Sequence, residues 1–529
     1  MHIDARDIEQ NSTVESDICI AGAGAAGITM ALRLAGTGLD VCLLESGELD
    51  TSGEARDLYA GKNVGRSYYP LSASRLRFFG GTTNHWAGYC RPLDSIDFEE
   101  RSWVPYSGWP ISRTDLEPYY REARRICKLS SFDLSHWEDV FDQFERWPLN
   151  SLRLQTQAFQ VKPLRFGKTY RDDIIKAPNI TLITHANLTE IETPPSARAV
   201  SGYKVETLEG SQFTVSAQRY VLACGGIENA RLLLLSDRHA PRGLGNENDL
   251  VGRFFMEHPG MPTAHVVRSS ASNVTPYWQH WNAGAQDAAK LSFRLSLPEA
   301  VQRENRISNA RINISGKSPY ASAREVFWRL RRQRLRFGAD IGDIADEIET
   351  VLGDFEGLLS DVNRVLRGDR PVEDRAQVLQ FDTWIEQAPN PKSRVTLDNE
   401  TDALGQRRVK LDWQLSELDR HTVESINRLA AREFGRLGWG RLRLHNWLQH
   451  NEGEWPAELR GGFHHMGTTR MSESPSRGVC NADSAVHGVD NLHLAGSSVF
   501  PTVGHANPTF TIVALSVRLA DHLRNSLPR

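Results

Sequence analysis

Ser16-Asp17-Ile18-Cys19-Ile20-Ala21-Gly22-Ala23-Gly24-Ala25-Ala26-Gly27 is the stretch whose reading decides the fold. A short apolar run of strand type ends on three spaced glycines. Residues 28–35 continue as a helix until Gly36 and Gly38 stop it, and residues 40–45 form a second apolar strand ending on an acid. Gly22 permits a tight turn, Gly24 lets a pyrophosphate approach the backbone, and Gly27 lets the helix lie close on the strand. The turn, with Ala25 in it, sets the positive end of the helix toward the phosphates. Glu45, with Ser46 beside it, is placed to hold ribose hydroxyls. Strand, glycines, helix, strand and acid in register predict a βαβ dinucleotide-binding unit. FAD and NAD both remain open, the position near the chain start favouring FAD.

Outward from this unit, residues 179–184, 200–207 and 212–216 alternate as strands. Residues 219–226 read as a buried strand ending on Gly225 and Gly226, and residues 227–234 start a helix. This second strand–glycine–helix unit, with Ala223 and Gly225 at its turn, is expected beside the first in a parallel sheet, enclosing the ADP half of the nucleotide. Residues 115–127 and 416–437 read as amphipathic helices with Ser or Asp caps. His258, before Pro259, reads as a structural turn residue.

The 529 residues allow more than one domain. With 62 basic and 66 acidic residues the net charge is -4, which gives no reason to expect nucleic acid or an anionic membrane as partner. No apolar run is long enough to span a bilayer, and the first residues lack a signal-peptide pattern. A cytoplasmic enzyme is the expectation, with export alongside a partner subunit open. The six cysteines are scattered without a Cys-x-x-Cys, so neither a disulfide framework nor a metal site is expected.

Two further clusters carry chemistry. Gly461-Gly462-Phe463-His464-His465-Met466-Gly467-Thr468 sets paired imidazoles between glycines, and Gly504-His505-Ala506-Asn507-Pro508-Thr509 enters an apolar helical run. An imidazole takes a proton near neutral pH, and an amide orients an oxygen without ionising. The two clusters are expected to converge on one site. Gly80-Gly81-Thr82-Thr83-Asn84-His85-Trp86, with Ala87 next, is a second glycine loop.

Fingerprint, glycine loop and C-terminal clusters together resemble the glucose–methanol–choline (GMC) family of flavin oxidoreductases, in its pyranose oxidase-like branch. The resemblance covers the chain up to about residue 125, the stretch 180–262 and the final segment from 455. Residues 265–440 match nothing obvious. It implies an α/β fold: an FAD-binding Rossmann-like domain (1–100, 180–262 and 456–529) interleaved with an α+β substrate domain built on an antiparallel sheet (101–179 and 263–455). By the resemblance, Gly81, Thr82, Asn84, His85, Trp86 and Ala87 lie along the flavin, His85 being a candidate covalent attachment site. Leu188 reads the adenine side, and Gly496 belongs to a flavin-contacting turn. His464, three residues before Gly467, takes the place of the catalytic histidine, and Asn507 that of its partner. His465 and His505 are weaker substrate-contact candidates, and Pro508 and Thr509 lie at the flavin.

The implied reaction is FAD-dependent oxidation of an alcohol, with a sugar or glycoside hydroxyl preferred. His464 accepts the hydroxyl proton, Asn507 holds the oxygen, and hydride passes to the flavin. Nonsugar alcohols (sterol, aromatic or choline-like) and a lyase or binding protein of the same fold are the alternatives. Oxygen, a quinone or a redox protein would reoxidise the flavin. A helical segment at 321–367, basic over 328–336, reads as a solvated face.

Overall fold

The computed structural model describes residues 1–50, 54–131, 134, 147–268, 277, 281–282, 289–317, 378–449 and 454–527. The expected helical segment at 321–367 and its basic stretch lie outside the described residues.

The opening motif forms as its spacing requires. The strand Thr13–Ala21 runs into the glycine turn, the helix Ala25–Leu34 follows, and the strand Val41–Leu44 pairs parallel with the first, Cys19 opposite Cys42. Ile18, Cys19, Ile20, Leu43 and Leu44 are buried, as befits a parallel strand covered on both faces. His2–Asp4 and Ile180–Thr184 extend the parallel sheet on one side, and Gln212–Leu222 and Leu492–Leu494 on the other. The predicted strands at 212–216 and 219–222 are one continuous strand. Its first part pairs antiparallel with Gly202–Glu206, its last part parallel with Leu492–Leu494, while Thr13–Ala21 lines its other edge. Asn187–Glu192 closes this meander.

The second sheet is antiparallel throughout. Its order is Gly440–Leu444, Gly260–Arg268, Val378–Ile385, Ala310–Lys317, Lys290–Ser296, Gln155–Val161, Tyr89–Cys90. One face packs on the helix Glu417–Arg436 through Val423, Ile426, Ala430 and Phe434. A small third sheet joins Arg394–Thr401, Arg407–Asp412 and Gly61–Asn63.

Serine caps hold where expected. Ser112 Oγ accepts from the Asp115 N–H at 3.1 Å and Asp115 answers the Ser112 N–H at 2.8 Å; Ser416 and Asp419 repeat the box. The expected domain boundaries shift in two places. The helix Arg113–Ile126 packs on the C-terminal helix Thr509–Ser526 and shares the nucleotide-side core through Leu116 and Tyr120, rather than joining the substrate sheet. Conversely, Tyr89–Cys90 and the start of Gly260–Arg268 are strands of the antiparallel sheet. The first follows from apolar packing of helix on helix and the second from strand pairing, neither of which respects a linear cut at a residue number.

Candidate active site

A cavity of about 610 Å³ runs between the two sheets, from Glu45 and Leu188 at one end to His464, Asn507 and Trp384 at the other. At the first end the glycines act in three ways. Gly22 has φ +103°, and a Cβ there would stand 2.7 Å from the Ala223 carbonyl oxygen. A Cβ on Gly27 would stand 1.9 Å from the Gly22 oxygen, so Gly27 serves helix–turn contact and does not face the cavity. A Cβ on Gly24 would meet no protein atom within 4 Å; the backbone there borders open cavity. Gly24 caps the helix without a side-chain hydrogen bond, leaving first-turn N–H groups for an anion. Glu45 accepts from the Ala23 N–H at 3.1 Å and the Gly47 N–H at 2.9 Å, tying the turn to its own strand end; burial raises its pKa. Ser46 lies beside it on the cavity wall, as do Ala25, Ala223 and Gly225.

The second glycine loop closes over the first. A Cβ on Gly81 would come within 3.3 Å of the Gly24 Cα. Thr82, His85, Trp86 and Ala87 line the cavity. Asn84 does not: its amide nitrogen donates to the Phe79 carbonyl at 2.8 Å and it packs at Gly167, so it shapes the loop from behind. Gly496, Pro508 and Thr509 wall the opposite side.

Several lining residues escaped the sequence reading. Glu228 sits buried among Arg75 (2.6 Å), Arg77 (3.4 Å) and Arg231 (3.4 Å), which hold its carboxyl down to about 2 despite burial. Arg231 also reaches Asp402 at 2.6 Å. Arg75 and Arg77 stack on Tyr59. Alternate arginines just ahead of a Gly-Gly loop were the available signal.

At the far end the predicted pair meets. Asn507 Nδ2 lies 3.2 Å from His464 Nε2. His464 Nδ1 lies 2.8 Å from Nδ1 of His258, and His258 Nε2 lies 2.9 Å from the Gly504 carbonyl. A carbonyl only accepts, so His258 carries its proton on Nε2 and offers Nδ1 as an acceptor. His464 therefore donates from Nδ1–H and keeps the lone pair on Nε2, where Asn507 donates to it. Burial and the nearby Arg311 charge push His258 down to about 3, and burial holds His464 well below the usual imidazole range. Both rings are neutral at physiological pH. His258, expected to be a turn residue, is thus the group that sets the His464 tautomer.

The loop carrying His464 is fixed from below. Glu257 accepts from the N–H groups of Gly462, His258 and His464, each at 2.9 Å, and from the Tyr68 hydroxyl. Tyr68 in turn lies 2.9 Å from His465 Nε2. His465 borders the cavity but is engaged in this support. His505 does not line the cavity. Its ring stands 3.4 Å from Asp94 and against Phe159, while its carbonyl accepts from Arg311. Asn507, two residues on, does line the cavity, as His505 does not.

Residues 389–516 match the family model described as GMC oxidoreductase, and residues 17–244 that of FAD dependent oxidoreductase. The chain thus joins an FAD-dependent oxidoreductase domain to a GMC oxidoreductase domain. It is an FAD-dependent oxidoreductase acting on CH–OH groups of small molecules. The open backbone at Gly24, the helix start without a side-chain cap and the cavity of about 610 Å³ fit that cofactor. A 2-methyl-1,2-propanediol dehydrogenase of Mycolicibacterium austroafricanum is 24% identical, the match covering 97% of this chain and 96% of that protein. Pyranose 2-oxidase of Tricholoma matsutake is 24% identical over 90% of this chain and 76% of that one. The crystal structure of formate oxidase superposes with a TM-score of 0.56 at 17% identity, covering 98% of this chain and 99% of that chain, a likeness of fold. Among the described residues, no helix is long and apolar enough to cross a membrane.

Proposed function

We propose that this enzyme oxidises a hydroxyl of a sugar or related polyol to a ketone or aldehyde, with His464 as base and Asn507 as the oxygen-holding partner. The carrying observation is the hydrogen-bonded row Gly504 carbonyl, His258, His464, Asn507, which sets the basic lone pair on His464 Nε2, where the Asn507 amide holds it until a substrate enters. A substrate hydroxyl entering there donates to Nε2, and the Asn507 amide turns its N–H to the same oxygen. His464 takes the proton as the carbinol carbon gives up its hydride. Bound FAD supplies the two-electron acceptor for that hydride. The proton then rests on an imidazole whose Nδ1–H is still held by His258. General-base help of this kind is worth about 100- to 10,000-fold.

A sugar is favoured by the likeness to pyranose 2-oxidase and by a chamber with polar walls, Asn313, Arg294 and Arg311 among them. The likeness to 2-methyl-1,2-propanediol dehydrogenase supports a second reading, a small nonsugar diol. Oxygen, a quinone or a redox protein reoxidises the cofactor. His85, on the cavity wall beside Thr82, is the proposed attachment residue should the flavin be covalent.

The test is anaerobic bleaching of the yellow protein by a panel of sugars, polyols and simple alcohols. Bleaching by sugars is expected, with His464→Ala slowing it about 100-fold or more. Failure of every alcohol to bleach, or undiminished bleaching by the variant, overturns the assignment. Acid precipitation of the same preparation leaves the colour in the pellet if the bond to His85 exists.

A further inference from the structure

The far wall of the chamber carries two arginines that the proposed chemistry does not use. Arg311 comes from the strand Ala310–Lys317 and Arg294 from its neighbour Lys290–Ser296. Both line the same cavity as His464 and Asn507. Arg311 is only 6% exposed. It donates to the His505 carbonyl and lies over the rings of Phe159 (5.4 Å) and Trp384 (5.9 Å). Arg294 donates to the Phe293 carbonyl at 2.6 Å, the Tyr277 carbonyl at 3.4 Å and the Tyr89 hydroxyl at 3.3 Å. Their hydrogen-bond partners are thus neutral oxygens, and neither has a carboxylate within salt-bridge distance among the described residues.

Of the other buried arginines, Arg75, Arg101, Arg231 and Arg420 each meet a carboxylate, while Arg470 rests on the Tyr106 carbonyl and does not line the cavity. Arg75 meets Glu228 at 2.6 Å, Arg101 meets Glu386 at 2.7 Å and Arg231 meets Asp402 at 2.6 Å. A guanidinium withdrawn from water without an anion is strongly unfavourable. Two side by side repel each other as well, and that repulsion adds to burial in lowering the Arg311 pKa to about 9. The planar fork of arginine suits a carboxylate in particular. The missing negative charge is thus one that arrives with a ligand, at the end of the chamber where the reacting hydroxyl must also sit.

Resting on the reading of this site as an alcohol-oxidising one, we infer that the substrate is an anionic hydroxy compound, a sugar acid or smaller hydroxy acid, whose carboxylate is held by Arg294 and Arg311 while its hydroxyl faces His464 and Asn507. The carboxylate is not altered by the reaction. The C–H electron pair leaves as hydride, the O–H proton goes to His464, and the carbonyl forms at the carbinol carbon. The bound carboxylate also offsets the Arg311 charge, which otherwise opposes a proton on His464.

The experiment uses the flavin-loaded full chain with matched probes: D-glucose against D-gluconate and D-glucuronate, and glycerol against D-glycerate, with glucose 6-phosphate as a phosphate control. Binding is followed calorimetrically and by the flavin absorption shift, and reduction by anaerobic bleaching. Carboxylates are expected to bind about 10- to 100-fold more tightly than their neutral partners, the range of a charge-assisted hydrogen bond. Added salt should weaken only the carboxylates. In Arg294→Gln and Arg311→Gln the carboxylate-to-neutral ratio should collapse toward one, with Arg311→Lys retaining part of it. Equal binding of neutral and anionic probes overturns the inference, as does a parallel loss of both in the variants. Preference for the phosphate overturns the carboxylate assignment. Arginine-dependent binding of carboxylates with no bleaching by any alcohol upholds the anion site and overturns the alcohol reading instead.

Discussion

Replacing His258 by leucine tests the tautomer argument directly. In the native arrangement the His464 Nδ1–H has one acceptor, His258 Nδ1, and that acceptor exists only because the Gly504 carbonyl occupies the other ring nitrogen. Leucine leaves a buried N–H without a partner, a penalty of about 1–3 kcal/mol. His464 avoids it by moving its proton to Nε2, where a turned Asn507 amide can accept it. A bias of about 2 kcal/mol leaves roughly 3% of the protein in the reactive tautomer. The anaerobic rate of flavin reduction by the best substrate should therefore fall about 30-fold, with flavin content and circular dichroism retained. Asparagine at 258 can present its carbonyl to the same N–H and should recover most of the rate. His258 is already uncharged, its pKa pushed down to about 3, so the variants should not move the pH profile between 6 and 9. A leucine variant as fast as the native enzyme, or an asparagine variant no faster than the leucine one, refutes the reasoning.

Burial pushes Glu257 up to about 7 against the pull of its four donors, and Asp419 up to about 6. Each folded pKa lies above the ordinary carboxylate value, so the native state binds these protons more tightly than the unfolded chain. Stability is greatest below about pH 4.5 for Glu257 and declines as pH rises through 7, by at most about 3 kcal/mol. Urea midpoints at pH 5, 6, 7 and 8 check this, and Glu257→Gln should flatten the decline; a midpoint that rises over that range contradicts it. Gly27→Ala should disrupt the turn, because its Cβ would stand 1.9 Å from the Gly22 oxygen. Gly24→Ala should fold normally and stay colourless, because its methyl meets only the space the pyrophosphate needs. Near-ultraviolet circular dichroism and the yellow absorbance separate the two, and a yellow Gly27→Ala protein would count against the assigned roles.

The parts of the molecule that could be read from the sequence are those where one residue type answers one local demand. The glycines at 22, 24 and 27, the serine caps at 112 and 416, and the approach of His464 to Asn507 are of this kind. Other parts depend on contacts across hundreds of residues. His258 precedes a proline and looks like turn chemistry until Gly504 is brought against it. Asn84 shares a loop with the cavity-lining Thr82, His85 and Trp86, yet its amide is consumed by the Phe79 carbonyl. Arg294 and Arg311 alternate with apolar residues as on any half-exposed strand; that the polar face of this sheet is a cavity wall is a property of the tertiary fold. The continuous strand Gln212–Leu222 was split in two because its pairing partner changes half-way along.

The pairing of Leu492–Leu494 beside Gln212–Leu222, followed by the helix Thr509–Ser526 lying on Ala25–Leu34, has a consequence for biogenesis. The first βαβ unit is made before the helix that covers its own helix, and before the strand Leu492–Leu494 that flanks Gln212–Leu222. Those late segments also deliver Gly496 and Asn507. A chain that stops before Thr509 therefore leaves the apolar face of Ala25–Leu34 without its cover and the cavity without one of its walls.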